Sequence, residues 1–164
     1  MNRSSLRIGE TYDRESLAES GFHLIRGAID RSLLEELGIA CRHALNESNG
    51  DVRARSDLGH ACAARNLIRS IPIVRTFWQH GCLNAYLHQQ LGSDFGLVRV
   101  LFFDKPPVRT WSLPWHQDRA IAVKDNAIAS TVFERPTVKA GVPHVMAPAS
   151  VLVEMLTLRV HLDN

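Results

Sequence analysis

The chain has 164 residues, of which 45% are apolar and 22% are charged, and its formal net charge at pH 7 is +2. This composition is typical of a globular domain and argues against intrinsic disorder of the whole chain. Lys and Arg are spread along the sequence rather than gathered in one stripe, so nucleic acid is not an expected partner. We find no internal repeat and no linker, and we expect one domain over residues 1–164.

The amino-terminal residues carry positive charge without an apolar stretch behind them, so they do not match a secretory signal. No apolar run approaches the roughly 20 residues that cross a bilayer. We therefore expect a cytoplasmic protein that does not enter a membrane. Cys41, Cys62 and Cys82 are odd in number and lack a Cys-x-x-Cys spacing, which argues against a disulfide framework and a structural zinc site.

The first half of the chain is predicted to be mainly helical. Residues 21–26 alternate apolar with polar and predict a first strand. A helix is then predicted from Asp30, a candidate N-cap, through Leu45, and residues 46–50 are predicted to end it. A second helix starts at Pro72 and stops at Gly81, and a third follows and ends at Gly92. Residues 51–70 carry no clear pattern.

From residue 97 the pattern favours strands. Residues 97–103, 113–118 and 155–162 predict three strands, and the proline-containing segment 119–150 between the last two predicts a long loop. Helices early and strands late indicate an α+β, mainly β fold, in which helices pack on the outside of an antiparallel sheet or barrel.

Trp115-His116-Gln117-Asp118 is the one sequence feature that could carry chemistry. Residues i and i+2 of a strand project from the same face, so the His116 imidazole and the Asp118 carboxylate could reach one metal ion. They would be two of the three ligands of the 2-His-1-carboxylate triad, which holds non-heme Fe(II) and leaves positions open. The tripeptide is short enough to occur by chance, so an exposed strand that bears both residues is the alternative.

This motif lies in a longer stretch that resembles bacterial members of the phytanoyl-CoA dioxygenase family. The resemblance covers nearly the whole chain and is most specific from Val98 to Asp118; its other parts are the strand at 21–26, the helix from Asp30 and the phrase at 158–163. It implies a double-stranded β-helix, or jelly roll, with His116 and Asp118 as the first two iron ligands. It also implies a dioxygenase that couples oxidative decarboxylation of the cosubstrate 2-oxoglutarate to hydroxylation of a small organic substrate.

Two parts of the family's site fall after the position that matches Asp163. They are the second histidine ligand and an arginine that pairs with the far carboxylate of 2-oxoglutarate. His144, in the predicted loop, and His161, in the last predicted strand, do not match that ligand. We therefore expect an incomplete, inactive fragment of an oxygenase, with no catalytic residue assigned.

Arg159 and Gln117 are the candidate cosubstrate-binding residues. Arg159 could contact a carboxylate if its strand face lines the barrel, and it would be solvated if that face points outward. Gln117 alternates away from the metal side, which favours a structural role. Three other residues near the motif could line a pocket or serve packing and turns: Lys105, Trp111 and Trp115.

A different class of function stays open beside the oxygenase. A half-barrel with unpaired strand edges could be a non-catalytic module that pairs with another chain, or a remnant that aggregates. The size of the species in solution distinguishes these alternatives.

Overall fold

The computed structural model describes residues 14–47, 55–57, 60–104, 116 and 118–163. The helices in these ranges are α1 (Arg14–Ser20), α2 (Arg31–Asn46), α3 (Leu67–Ser70), α4 (Pro72–Thr76), α5 (Gly81–Leu91) and α6 (Ala149–Leu152), with a 3₁₀ turn at Phe77–Gln79. The strands are β1 (Arg55–Asp57), β2 (His60–Ala64), β3 (Phe102–Phe103), β4 (Ala120–Ala122), β5 (Glu134–Lys139) and β6 (Val142–Met146). None of these helices is long and apolar enough to cross a membrane.

The strands form two small antiparallel sheets. One has the order β1-β2-β3, and its register places Ala63 opposite Phe103. The other has the order β4-β6-β5, so the last strand in sequence lies in the middle and places His144 between Ala122 and Thr137. Neither sheet closes on itself within the described residues. The fold is thus a mixed helix and sheet structure with antiparallel sheets.

Helix α2 supplies the main apolar face of the core. Its buried residues Leu37, Cys41, Ala44 and Leu45 recur at helical spacing, so the helix predicted to start at Asp30 is confirmed. Asp30 holds the N-cap position, but its side chain makes no capping hydrogen bond; its carbonyl accepts the first helical bond from Leu34 N at 2.9 Å.

The core joins α2 to the following helices and to the first sheet. Helices α4 and α5 confirm the two predicted helices, although Gly81 begins α5 instead of ending α4, because the 3₁₀ turn already terminates α4. The largest fully buried apolar side chains are Leu67, Leu83 and Val74. The cluster is completed by other buried residues: Leu37, Cys41, Ala44, Leu45, Ala64, Ile71, Phe77, Leu87 and Phe102.

Three predicted strands differ from the structure. Residues 21–26 and 155–162 belong to no strand, and of 97–103 only Phe102–Phe103 pairs, with β2. Alternation alone does not distinguish a paired strand from an extended segment that lies on the core. Leu156, Val160 and Leu162 pack against the core while Leu158 is exposed, so the alternation indicated a mostly buried face, although this segment belongs to no strand among the residues that the structure describes.

The long loop predicted for residues 119–150 is wrong, because this segment contains β4, β5 and β6. Its prolines are compatible with strands. Pro136 falls in a register irregularity of the edge strand β5, and the Pro143 carbonyl accepts a hydrogen bond from Val123 N at 3.0 Å. A two-residue turn, Ala140-Gly141, joins β5 to β6 with φ of 52° and 76°, as a tight hairpin requires.

Candidate metal pair and basic cleft

His116 and Asp118 lie just before β4, and the structure brings their side chains together. His116 Nε2 and Asp118 Oδ1 are 3.9 Å apart, and the two side chains are 44% and 93% exposed. Neither residue is part of a strand, so the strand predicted for 113–118 is absent at these two positions. Gln117 and the rest of that segment, 113–115, lie outside the described residues, as do Lys105 and Trp111.

The geometry of this pair is compatible with one shared divalent ion. Bonds from a histidine nitrogen and a carboxylate oxygen to such an ion are about 2.1 Å, so their atoms can be no more than about 4.2 Å apart. The observed 3.9 Å is within that limit. Imidazole and carboxylate are ligands that suit Fe(II) and Mn(II). Within the described residues, no third His, Cys, Asp or Glu groups with this pair.

Arg159 is not part of that ion pair. It lies in the segment that follows α6, and its side chain is exposed. A role for Arg159 in holding a cosubstrate stays a prediction.

His144 occupies the centre of the second sheet rather than a loop. Its side chain is almost fully buried, at 1% exposure. Nδ1 lies 2.8 Å from the Val142 carbonyl, which can only accept, so Nδ1 carries the proton and a neutral ring presents a lone pair at Nε2. Nε2 is buried and has no hydrogen-bond partner in the described part of the chain.

The charge state of His144 follows from its surroundings. Burial lowers the pKa of His144 below its ordinary value of 6.5, and the hydrogen bond to Val142 opposes this effect. The nearby cations Arg99, Lys139 and Arg65 lower the pKa further. The ring is therefore neutral at pH 7.

A cleft of about 310 Å³ lies beside His144. Its walls come from both halves of the fold, which are joined where the Asn66 side-chain amide donates to the Ala140 carbonyl at 2.9 Å. The cationic side chains that line it come from four separate segments: Arg69, Arg99, Lys124 and Lys139. We call this feature the basic cleft.

Arg99 lines the basic cleft and also lies within electrostatic reach of Asp118, one residue of the candidate metal pair His116 and Asp118. Burial lowers the pKa of Arg99, the neighbouring Arg65 lowers it further, and the Asp118 carboxylate opposes both. Arg99 still remains protonated, as arginine does in proteins. The carboxylate of Asp118 is thus the charge that partly offsets this half-buried cation.

The sequence prediction did not include the basic cleft. It found Lys and Arg spread along the sequence rather than gathered in one stripe. The signal that could have shown the cleft is Arg99 itself, a charged residue between Val98 and Val100 in an apolar stretch. Such a residue is expected to have a buried partner or ligand.

Comparison of the chain with protein-family models, with curated proteins and with solved structures finds no match.

Proposed function

We propose that His116 and Asp118 are two protein ligands of an iron(II) centre in a 2-oxoglutarate-dependent oxygenase of the phytanoyl-CoA dioxygenase family. The observation that carries this proposal is the 3.9 Å separation of His116 Nε2 and Asp118 Oδ1. Their exposure leaves the remaining positions of a metal ion open to other ligands. The resemblance of residues 98–118 to that family supports the choice of metal and cosubstrate.

Each residue of the site has a part in this proposal. Iron(II) would supply the redox chemistry that couples decarboxylation of 2-oxoglutarate to hydroxylation of a small organic substrate. The His116 imidazole would offer a nitrogen lone pair, and Asp118 a carboxylate oxygen. Arg99 lies within electrostatic reach of the Asp118 carboxylate.

The proposed fold is less specific than the proposed site, because it rests on one open sheet. The open sheet β4-β6-β5 begins directly after the metal pair. In a double-stranded β-helix this sheet would be one part of a larger barrel. A second imidazole ligand and a basic residue for the far carboxylate of 2-oxoglutarate complete the site in that family.

Metal titration tests the proposal. Fe(II) or Mn(II) is added under anaerobic conditions to the wild type, to His116→Ala and to Asp118→Ala, with His161→Ala as the matched control because His161 is also exposed. Each ligand variant should bind at least about tenfold more weakly, since even the loss of an outer partner of a metal ligand costs that much. Affinities in both ligand variants equal to that of the control would reject the site.

A non-catalytic pairing module is the second candidate, and one observation favours it. Residues 155–163 belong to no helix or strand in the part of the chain that the structure describes. Met155 and Leu158 are 41% and 39% exposed there. A segment with alternating apolar residues, exposed apolar side chains and no strand partner among the described residues is suited to pairing with a second chain.

Sedimentation or light scattering separates the two candidates. A defined oligomer that Leu158→Lys dissociates, and that Ile39→Lys on the exposed face of α2 leaves intact, would support pairing. A monomer that binds metal through His116 and Asp118 would support the oxygenase. A polydisperse species would support neither function.

A further inference from the structure

The basic cleft has an excess of positive charge that the proposed metal pair does not explain. Arg69, Arg99, Lys124 and Lys139 line it, and among the described lining residues there is no Asp or Glu. Like charges that converge on a partly enclosed space repel one another, and this costs more where water is partly excluded. A cleft of this kind is stabilised when an anion neutralises the charge.

His144 is a second, independent indication of a ligand. It lines the same cleft, it is 1% exposed, and its Nε2 has no hydrogen-bond partner among the described residues. A buried polar atom without a partner is uncommon in folded proteins. Because Nδ1 donates to the Val142 carbonyl, Nε2 is an acceptor, so a ligand that satisfies it must carry a donor.

The charges exclude two other kinds of occupant. A metal cation would have to approach Nε2 through the field of four cationic side chains. A purely apolar molecule would leave those cations and Nε2 without partners. The volume of about 310 Å³ is at the lower end of the range for small-molecule sites.

We infer that the basic cleft binds the oxyanion group of a small molecule, a phosphate or carboxylate, together with an O–H group that donates to His144 Nε2. Hydrogen phosphate satisfies both demands, because it carries anionic oxygens for the cations and a hydroxyl donor for the ring. The site is formed by residues outside the metal pair. It goes beyond the proposed function, since it requires neither iron nor 2-oxoglutarate.

The test uses the full chain, freed of metal by a chelator, with inorganic phosphate as the probe. Calorimetry at fixed ionic strength should show saturable binding, and the ring resonances of His144 should shift with the same midpoint. Arg69→Gln and Lys139→Gln should each weaken binding about tenfold, the scale of one charge-assisted hydrogen bond. Arg75→Gln is the matched control, because Arg75 lies on the adjacent helix α4, is exposed and does not line the cleft.

Three results of the phosphate experiment would each overturn the inference. These are the absence of saturable phosphate binding, an equal loss in Arg75→Gln and Arg69→Gln, and binding that leaves the His144 resonances unmoved. Acetate, malate and 2-oxoglutarate are titrated in parallel to separate phosphate from carboxylate ligands. If only 2-oxoglutarate binds, and only with Mn(II) present, the cleft belongs to the cosubstrate and the inference fails.

The predicted phosphate binding does not depend on metal binding by His116 and Asp118. Asp118→Ala should bind phosphate at least as tightly as the wild type, because it removes the carboxylate that lies within electrostatic reach of Arg99. Phosphate binding that is retained in this variant while metal binding is lost would show that the two sites are separate. Loss of phosphate binding in this folded variant would contradict the separation.

Discussion

His144 makes the stability of the fold depend on pH in a defined window. Its pKa in the folded protein is depressed below the ordinary value of 6.5, chiefly by burial. Between the two values the unfolded chain binds more protons than the folded chain, so the free energy of unfolding falls as pH falls below 6.5. One proton gives a slope of at most about 1.4 kcal/mol per pH unit. Above this window the contribution of His144 is constant.

Denaturant unfolding at steps between pH 5 and pH 8 measures this slope. His144→Asn removes the titrating ring but keeps a short polar side chain, and His161→Asn changes an exposed histidine as the control. The packing cost of His144→Asn lowers stability at every pH, so the slope rather than the absolute stability is compared. The slope below pH 6.5 should shrink in His144→Asn and persist in His161→Asn. Equal slopes in His144→Asn and the wild type would refute the reasoning.

Three further predictions concern the core, a turn and a thiol. Leu83→Ala should lower the free energy of unfolding by about 2–5 kcal/mol, measured by denaturant titration, because the side chain is only 1% exposed and its loss leaves a cavity. Gly141→Ala should cost about 1 kcal/mol or more because φ is +76°, whereas Gly96→Ala, with open space and no positive φ, should cost less in the same assay. Burial raises the pKa of Cys41 to about 11, so alkylation of the folded protein at pH 8 should modify Cys41 far more slowly than the half-buried Cys82; comparable rates would contradict this.

The helices were predictable because their signals are local. In α2 the buried positions Leu37, Cys41 and Leu45 follow the helical period, and the helix ends at Asn46, within the segment 46–50 that was predicted to end it. The start at Asp30 was also correct, although the expected side-chain cap is not formed. The helical spacing of apolar residues was therefore sufficient to predict α2, even though the Asp30 side chain makes no capping hydrogen bond.

The strands were less predictable because pairing depends on residues that are distant in sequence. Phe102 and Phe103 pair with β2, some forty residues earlier, in a segment for which no pattern was recognised. Residues 155–162 show a comparable alternation but pair with no strand among the described residues. An alternation of apolar and polar residues indicates which face of a segment is buried. It does not indicate whether another strand is available for pairing.

The second sheet was not predicted because segment 119–150 contains prolines, which are more typical of loops than of strands. Pro136 is accommodated by an irregular register on an edge strand, and the Ala140-Gly141 turn lacks the usual Asn-Gly signal. The predicted position of His144 was wrong for the same reason. A histidine in a proline-containing loop would be exposed, whereas the middle strand of a sheet buries it.

The proximity of His116 and Asp118 was predictable because the two residues are close in sequence, while their role as metal ligands stays a prediction. His116 and Asp118 are two positions apart, and their side chains meet although neither lies in a strand. The basic cleft was not predictable in the same way. It gathers Arg69, Arg99 and Lys139 from separate segments, and only the fold brings them together.

Pulsed electron paramagnetic resonance of the Mn(II)-loaded protein tests the central claim most directly. A histidine ligand places a nitrogen nucleus next to the metal and adds a nitrogen coupling to the manganese signal. We expect this coupling in the wild type and in His161→Ala, and we expect its loss in His116→Ala. A wild-type spectrum of fully hydrated Mn(II), or a nitrogen coupling that persists in His116→Ala, would contradict the assignment of His116 and Asp118 as metal ligands.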